Sequence, residues 1–342
     1  MSALPAVKYG SDTDVPVIDL GPFLAGDVAA KRRTAEQLRE ASEGLGFYFI
    51  ANHGIQQALI DRTFAEAERF HALPLDEKLP LRVGKSPTGY LPLGGQTQAT
   101  SVYGKSVHPD RSTSFYIQHE FAPNHPDRLA GKPWVVDNKW PANLPGFRDT
   151  TLEYYDAISQ LGYKLLRLQA LALGLDEEFF INHEAFKPSK GTLRLLHYPP
   201  RDPALEGQFG IGPHTDYGYC TLLAQAKVPG LEILSRTGQW IQAPVPDGHI
   251  LVNNSDMCRF WTNDRFRSAP HRVINTSGQA RYSIPFFFGV RADVKLECLP
   301  TCQGPGNPPK YPPITAGEYF AAINRRNYDV LRADQATDDA MK

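Results

Sequence analysis

From Thr192 to about Leu299 the chain breaks into short apolar runs separated by Gly, Pro, Asp and Asn. Short apolar runs bounded by turn residues are the pattern of an antiparallel sandwich or barrel. The fold class expected is therefore mainly β with helices (α+β), with a double-stranded β-helix, or jelly roll, as its core and helical additions at both termini. The open mouth of such a sandwich lets residues that are distant in sequence meet at one point.

Around that core the periodicity is helical. Residues 29–46 and 56–72 carry apolar positions such as Leu38, Ala41 and Leu45 at helical spacing, and should buttress the sheet. A long amphipathic helix is expected from about Asp149 to Leu173, with Leu152, Tyr155, Ile158, Leu161 and Leu165 along one face and Gly174 as its stop. Pro300 to Pro313 reads as extended linker, and Thr315 to Leu331 as a last helix opened by a capping box between Thr315 and Glu318. The chain then divides into an N-terminal region of helices packing on the barrel (1–120), a connecting segment with the long helix (121–190), the barrel core (191–299), and a C-terminal linker and helix (300–342). Thr88 to Gly104, rich in Gly, Thr, Gln and Ser, suits a loop over a mouth, with Tyr90 as a candidate pocket wall.

Within the β region His214 and Asp216 stand two apart, and His271 follows on a later run. Residues two apart on an extended strand point to the same side, so the imidazole and the carboxylate can converge. Two histidines and one carboxylate on one face of an octahedral ion leave three positions open, an arrangement that favours Fe(II) and O2 activation. A second cluster lies in the strand-like run Arg281 to Phe287. Arg281 offers a planar fork to a carboxylate and Ser283 a hydroxyl on the same face, an anchor for an organic acid. The same run could instead turn Tyr282, Ile284 and Phe286 to the core and leave Arg281 and Ser283 in water, and periodicity does not separate the two orientations.

Further motifs stand in order along the chain: VPVIDLG at Val15–Gly21, GFYFIANHGI at Gly46–Ile55, RLLHYPP at Arg194–Pro200, GIGPHTDYG at Gly210–Gly218 and TNDRFRSAPHRV at Thr262–Val273. On these the chain resembles, over nearly its whole length, the isopenicillin N synthase-like family of Fe(II)- and mostly 2-oxoglutarate-dependent dioxygenases, as a bacterial-type member. The resemblance implies that His214, Asp216 and His271 bind Fe(II), that Arg281 and Ser283 bind the distal carboxylate of 2-oxoglutarate, and that Tyr198 supports it. It also implies oxidation of a small organic metabolite by O2, by hydroxylation, desaturation or cyclisation, with release of succinate and CO2. Leu196 stands where many plant members have asparagine, and His197 replaces a tyrosine beside it. Two rivals remain: a 2-oxoglutarate-independent Fe(II) oxidase of the isopenicillin N synthase or aminocyclopropane-carboxylate oxidase type, and a non-catalytic small-molecule binding protein, the latter motivated by Leu196. Phe287, on the face of Arg281 and Ser283, and Tyr217, beside a ligand, are the other candidates for the substrate pocket.

Composition sets the remaining bounds. With 36 basic and 37 acidic residues the net charge is -1, which gives no electrostatic footprint for nucleic acid. No apolar run approaches the roughly 20 residues that span a bilayer, and the chain reads as cytoplasmic. Cys220, Cys258, Cys298 and Cys302 form no CxxC pair and are expected as reduced, mostly buried thiols. A small-molecule substrate is the expected partner; the oligomeric state is left open.

Overall fold

The computed structural model describes residues 15–84, 86–98, 101, 103, 108–187, 190–200, 207–244 and 246–327. Its strands, in chain order, are β1 (Val17–Asp19), β2 (Phe47–Ala51), β3 (Gly89–Leu91), β4 (Thr113–Gln118), β5 (Lys190–Tyr198), β6 (Ile211–His214), β7 (Cys220–Gln225), β8 (Leu231–Leu234), β9 (Trp240–Gln242), β10 (Ile250–Asn254), β11 (His271–Val273), β12 (Arg281–Gly289), β13 (Lys295–Leu296) and β14 (Ile314–Thr315). One sheet runs β1-β2-β10-β7-β12-β5-β4-β3 and a second β6-β11-β8-β9, with β13 and β14 as a separate pair. Side chains of both larger sheets meet in one apolar layer, where Phe47, Leu196 and Leu251 face Ile211, Ile233 and Ile241. This is the jelly roll expected from the sequence.

The N-terminal region differs from its expectation. Besides its helices, residues 1–120 supply β1 to β4, four of the eight strands of the large sheet. The reason is burial on both faces: in β2, Phe47 and Phe49 enter the layer between the sheets while Tyr48 and Ile50 pack under the helices. Such a strand lacks the alternation by which strands are read.

The helices cover the outer face of the large sheet. The long helix, Phe147–Ala172, buries Ile158, Leu161 and Leu165 almost completely, each such side chain contributing about 1.5–3 kcal/mol. A Cβ at Gly162 would lie 2.7 Å from Phe288, so glycine permits the close approach of helix and strand there. Helices at Val28–Glu43 and Gln57–Ala72 also stand where expected. The last helix, Ala316–Asn327, opens with the expected box: the Thr315 amide donates to Glu318 Oε2 (3.0 Å) and the Glu318 amide to Thr315 Oγ1 (3.2 Å). The expected continuation past Asn327 lies outside the described residues, as do Ala99, Thr100, Val102 and Gly104 of the expected mouth loop.

Packing on β12 settles its orientation. Ile284, Phe286 and Phe288 belong to the layer beneath the helices, with Phe286 edge-on to Tyr155 at 5.1 Å. By alternation Arg281, Ser283 and Phe287 point between the sheets.

Candidate active site

β6 ends at His214, and the ladder of the small sheet sets His271 of β11 directly opposite. The two rings lie 4.3 Å apart between centroids. Asp216 is not on the strand with His214, as the spacing suggested; it sits in the segment that crosses from β6 to β7. Its position is set by the large sheet, because Thr221 of β7 and Asn253 of β10 donate to its Oδ2 at 2.5 and 2.8 Å. Its Oδ1 is left facing both imidazoles, 3.7 Å from His214 Nε2 and 3.7 Å from His271 Nε2.

The backbone fixes the tautomers. His214 Nδ1 lies 2.8 Å from the Gly212 carbonyl and His271 Nδ1 lies 3.2 Å from the Ala269 carbonyl. A carbonyl can only accept, so each Nδ1 carries the proton and each Nε2 presents its lone pair to the space beside Asp216. Burial, reinforced by the neighbouring His271, pushes the His214 imidazole down to about 3. For Asp216 burial acts upward, but the two histidines and the bonds from Thr221 and Asn253 outweigh it and hold the carboxyl below its usual value. The result at neutral pH is a neutral imidazole beside a carboxylate. The three candidate donor atoms lie within 4.8 Å of one another, a set suited to a divalent ion.

A second group lies along the inner face of β12. Arg281 pairs with Tyr198 of β5 and is 1% exposed, its guanidinium 4.9 Å from the Tyr198 ring centre. Its Nη2 donates to Gln225 Oε1, whereas Nε and Nη1 are buried without a partner. Space for the arginine exists because residue 230 is glycine: a Cβ there would stand 3.3 Å from Arg281 Cδ and 2.9 Å from the Ile274 carbonyl. Ser283 is flanked by Leu196 on one neighbouring strand and Gln225 on the other, and its Oγ is 3.5 Å from Tyr198 Oη. Gln225 Nε2 is likewise buried and unpartnered. Unmet buried donors cost about 1–3 kcal/mol each, so these N–H groups form a preformed receptor for an anion. Gln225 was not singled out from the sequence; only the β7–β12 register reveals it.

Beside the metal group lies a cavity of about 390 Å³ that His214 and Asp216 both line. Phe287 and Tyr217 line it as expected. Tyr90 does not: it is 3% exposed in the core under the helices, edge-on to Phe70 at 6.0 Å. Its sequence surroundings suggest a loop, but Gly89–Leu91 pairs with β4 and turns the ring inward. Residues on either side of β3 do reach the cavity, among them Val83, Pro87, Gln96 and Gln98. Arg194, Gln118 and Thr192 line it from the large sheet, and Phe320 and Asn324 from the last helix. That helix is tied to the metal segment through buried Asp256, which accepts from Tyr319 Oη (2.6 Å) and Thr215 Oγ1 (3.0 Å) and whose amide donates to the Asp216 carbonyl (2.8 Å).

Known proteins share this arrangement of the chain. Residues 189–290 match the family model of the 2OG-Fe(II) oxygenase superfamily, and residues 15–143 that of the non-haem dioxygenase in morphine synthesis N-terminal region. The 2-oxoglutarate-Fe(II) type oxidoreductase hxnY of Emericella nidulans is 38% identical over 324 residues, covering 92% of this chain and 91% of its own. The chain belongs to the 2OG-Fe(II) oxygenase superfamily. Among solved structures, a full-length Neurospora crassa protein in complex with alpha-KG and thymine is 30% identical with a TM-score of 0.79, covering 91% of this chain and 96% of its own. JOX2 in complex with 2OG, Fe and JA is 26% identical with a TM-score of 0.76, covering 93% of this chain and 88% of its own. This superfamily member is an enzyme, a 2-oxoglutarate-dependent dioxygenase that uses Fe(II), 2-oxoglutarate and O2 to oxidise a small metabolite. Among the described residues of the dioxygenase, no helix is long and apolar enough to cross a membrane.

Proposed function

We propose that His214, Asp216 and His271 hold the Fe(II), that Arg281, Ser283, Tyr198 and Gln225 receive the distal carboxylate of 2-oxoglutarate, and that the substrate occupies the adjoining cavity. The observation that carries this reading is the pairing of a three-donor cluster with a buried guanidinium that lacks partners on two of its nitrogens. Two lone-pair Nε2 atoms and one carboxylate oxygen fit iron, and the planar fork of Arg281 fits a carboxylate. Bound there, iron would activate O2 as 2-oxoglutarate is cleaved to succinate and CO2, one oxygen atom entering succinate and the other serving to oxidise the substrate.

The chain's own residues orient and exclude. Thr221 and Asn253 hold Asp216 so that a single oxygen faces the histidines, and Gly212 and Ala269 fix the rings. Gln225 steers Arg281 and supplies an amide N–H on the flank of Ser283 opposite Leu196, so the amide missing at 196 is replaced from β7. Phe287 and Tyr217 line the cavity with His214 and Asp216, where their rings would keep water from a bound metal. A receptor of this kind argues against the non-catalytic binder, and relatives crystallised with the co-substrate favour it over the oxidase. The thymine found in the Neurospora relative supports a small ring compound as the type of substrate. The reading extends to a cytoplasmic enzyme, and the net charge of -1 supports a partner that is neither nucleic acid nor an anionic membrane surface.

Anaerobic titration of metal-free protein with Fe(II) and then 2-oxoglutarate tests the assignment. A visible charge-transfer band lost in Asp216→Ala and weakened in Arg281→Ala is the expected result. Iron binding without such a band would return the oxidase reading, and absence of iron binding would end the assignment of the three ligands.

A further inference from the structure

The cavity's hydrogen-bonding atoms are not evenly available to a ligand. Arg194 can only donate, and its Nη2 reaches Gln96 Oε1 at 2.9 Å, so the Gln96 carboxamide must turn its oxygen inward and its NH2 outward. Gln98 is committed in the same sense, since its Oε1 accepts from Tyr217 Oη (3.2 Å) and Asn327 Nδ2 (3.3 Å). Gln118 is turned the other way: its Nε2 donates to Thr192 Oγ1 at 3.3 Å, leaving its oxygen for the cavity. These three carboxamides therefore offer a ligand two amide donor groups and one acceptor, and Asn324 of the last helix adds a fourth carboxamide to the wall.

Charge biases the site in the same direction. Arg194, 4% exposed and stacked 4.8 Å from the Tyr116 ring centre, brings a guanidinium to the wall. Among the described residues the one carboxylate lining the cavity is Asp216, whose Oδ2 is occupied and whose Oδ1 faces the histidines. A ligand ammonium would lose its water beside a buried cation and find no carboxylate turned towards it, whereas a carbonyl or carboxylate would meet donors. Four rings, Tyr116, Tyr217, Phe287 and Phe320, line the cavity beside aliphatic Val83 and Pro87, and the volume of about 390 Å³ falls low in the range of roughly 300–1,000 Å³ usual for ligand sites.

We infer that the substrate is a small flat ring compound carrying carbonyl or carboxylate acceptors, neutral or monoanionic, with fewer donors than acceptors, and that Arg194 and Gln96 select it. Amines and zwitterionic amino acids are disfavoured by charge, and polycyclic aliphatic skeletons by shape and size. This inference rests on the dioxygenase reading of the same site.

The test compares benzoate, benzamide, benzylamine and cyclohexanecarboxylate as probes of the full-length protein loaded anaerobically with Fe(II) and 2-oxoglutarate. Binding is read by calorimetry and, in parallel, by perturbation of the charge-transfer band. Formation of that band before any probe is added reports on the iron and co-substrate reading alone, so the two can fail separately. Benzoate and benzamide are expected to bind, with benzylamine weaker by about 10-fold or more for want of a counter-charge, and the non-planar acid weaker than benzoate. Arg194→Gln should bring the benzoate-to-benzamide ratio close to one. Should that variant fail to fold, Gln96→Met should weaken both carbonyl probes several-fold and leave benzylamine unchanged. Benzylamine binding as tightly as benzoate, failure of both flat carbonyl probes to bind, a benzoate-to-benzamide ratio unmoved by Arg194→Gln, or carbonyl-probe affinities unmoved by Gln96→Met would overturn the inference.

Discussion

The proposed iron and co-substrate pole of this enzyme and its proposed substrate wall are built by different means. At the pole most side chains are placed by strand register, His214 opposite His271, Arg281 opposite Tyr198, and Ser283 between Leu196 and Gln225, while Asp216 is set by bonds from Thr221 and Asn253 of the large sheet. A slip in any of these ladders would turn whole faces over, so the ladder hydrogen bonds that hold the sheet also hold the chemistry. The wall is made of pieces whose positions depend on one another's side chains: Gln96 on Arg194, Gln98 on Tyr217 and Asn327, and the last helix on Asp256. Reaction type is thus written into the backbone, whereas substrate preference rests on contacts that single substitutions can revise.

That contrast can be broken most severely at Asp216. Asp216→Ala is expected to lower turnover by about 1000-fold or more, roughly 4 kcal/mol of barrier, with iron content falling in parallel when the purified protein is assayed for metal. Next in size are the residues proposed to receive the co-substrate, which should act on 2-oxoglutarate and leave the primary substrate alone. Arg281→Ala should raise KM for 2-oxoglutarate about 100-fold and Gln225→Leu about 10-fold, in line with charged and neutral hydrogen bonds worth about 3 and 1.4 kcal/mol. Equal losses of affinity for both substrates would show that pole and wall are one unit after all.

Acid should strain the scaffold behind the pole. On the outer face of the large sheet, burial holds His71 down to about 3 and His197 to about 4. Unfolded, both would take up protons below roughly 6.5. The unfolded state therefore binds more protons between those values, and stability, complete above about 6.5, should fall as pH drops towards 4. Denaturant midpoints measured across that range should show a shallower fall in His71→Gln, whose side chain does not titrate. The smallest effect is expected at the helix anchor: Tyr319→Phe removes one bond to Asp256, worth about 1 kcal/mol, and should change KM for the primary substrate a few-fold while iron affinity stays unchanged.

Much of the pole was legible in the sequence because its residue types are rare in combination. His214, Asp216, His271, Arg281 and Ser283 could be picked out by spacing together with the family resemblance, although the geometry behind that spacing was different: Asp216 converges from a crossing segment and not from a shared strand face. Gln225 and Arg194 escaped notice for opposite reasons. A glutamine at the end of an apolar run carries no signal until the opposing strand is known, and Arg194 was absorbed into a motif read only as a family mark. Tyr90 shows the converse error, since a Gly- and Gln-rich surrounding reads as loop while three residues within it pair with β4. The helices at Val28–Glu43, Gln57–Ala72 and Phe147–Ala172 were recovered almost to their ends, because a 3.6-residue period over many turns is a long signal, whereas doubly buried β2 offers no alternation at all.

The division of the three proposed ligands between the sheets bears on more than catalysis. His214 and His271 belong to the small sheet, while Asp216 is clasped by Thr221 and Asn253 of the large one. An ion held by all three is a rivet through the sandwich, fastening two layers that otherwise meet through apolar packing. Its affinity and the cohesion of the fold then become a single linked quantity, so that iron supply would govern how long each molecule survives as well as how fast it works.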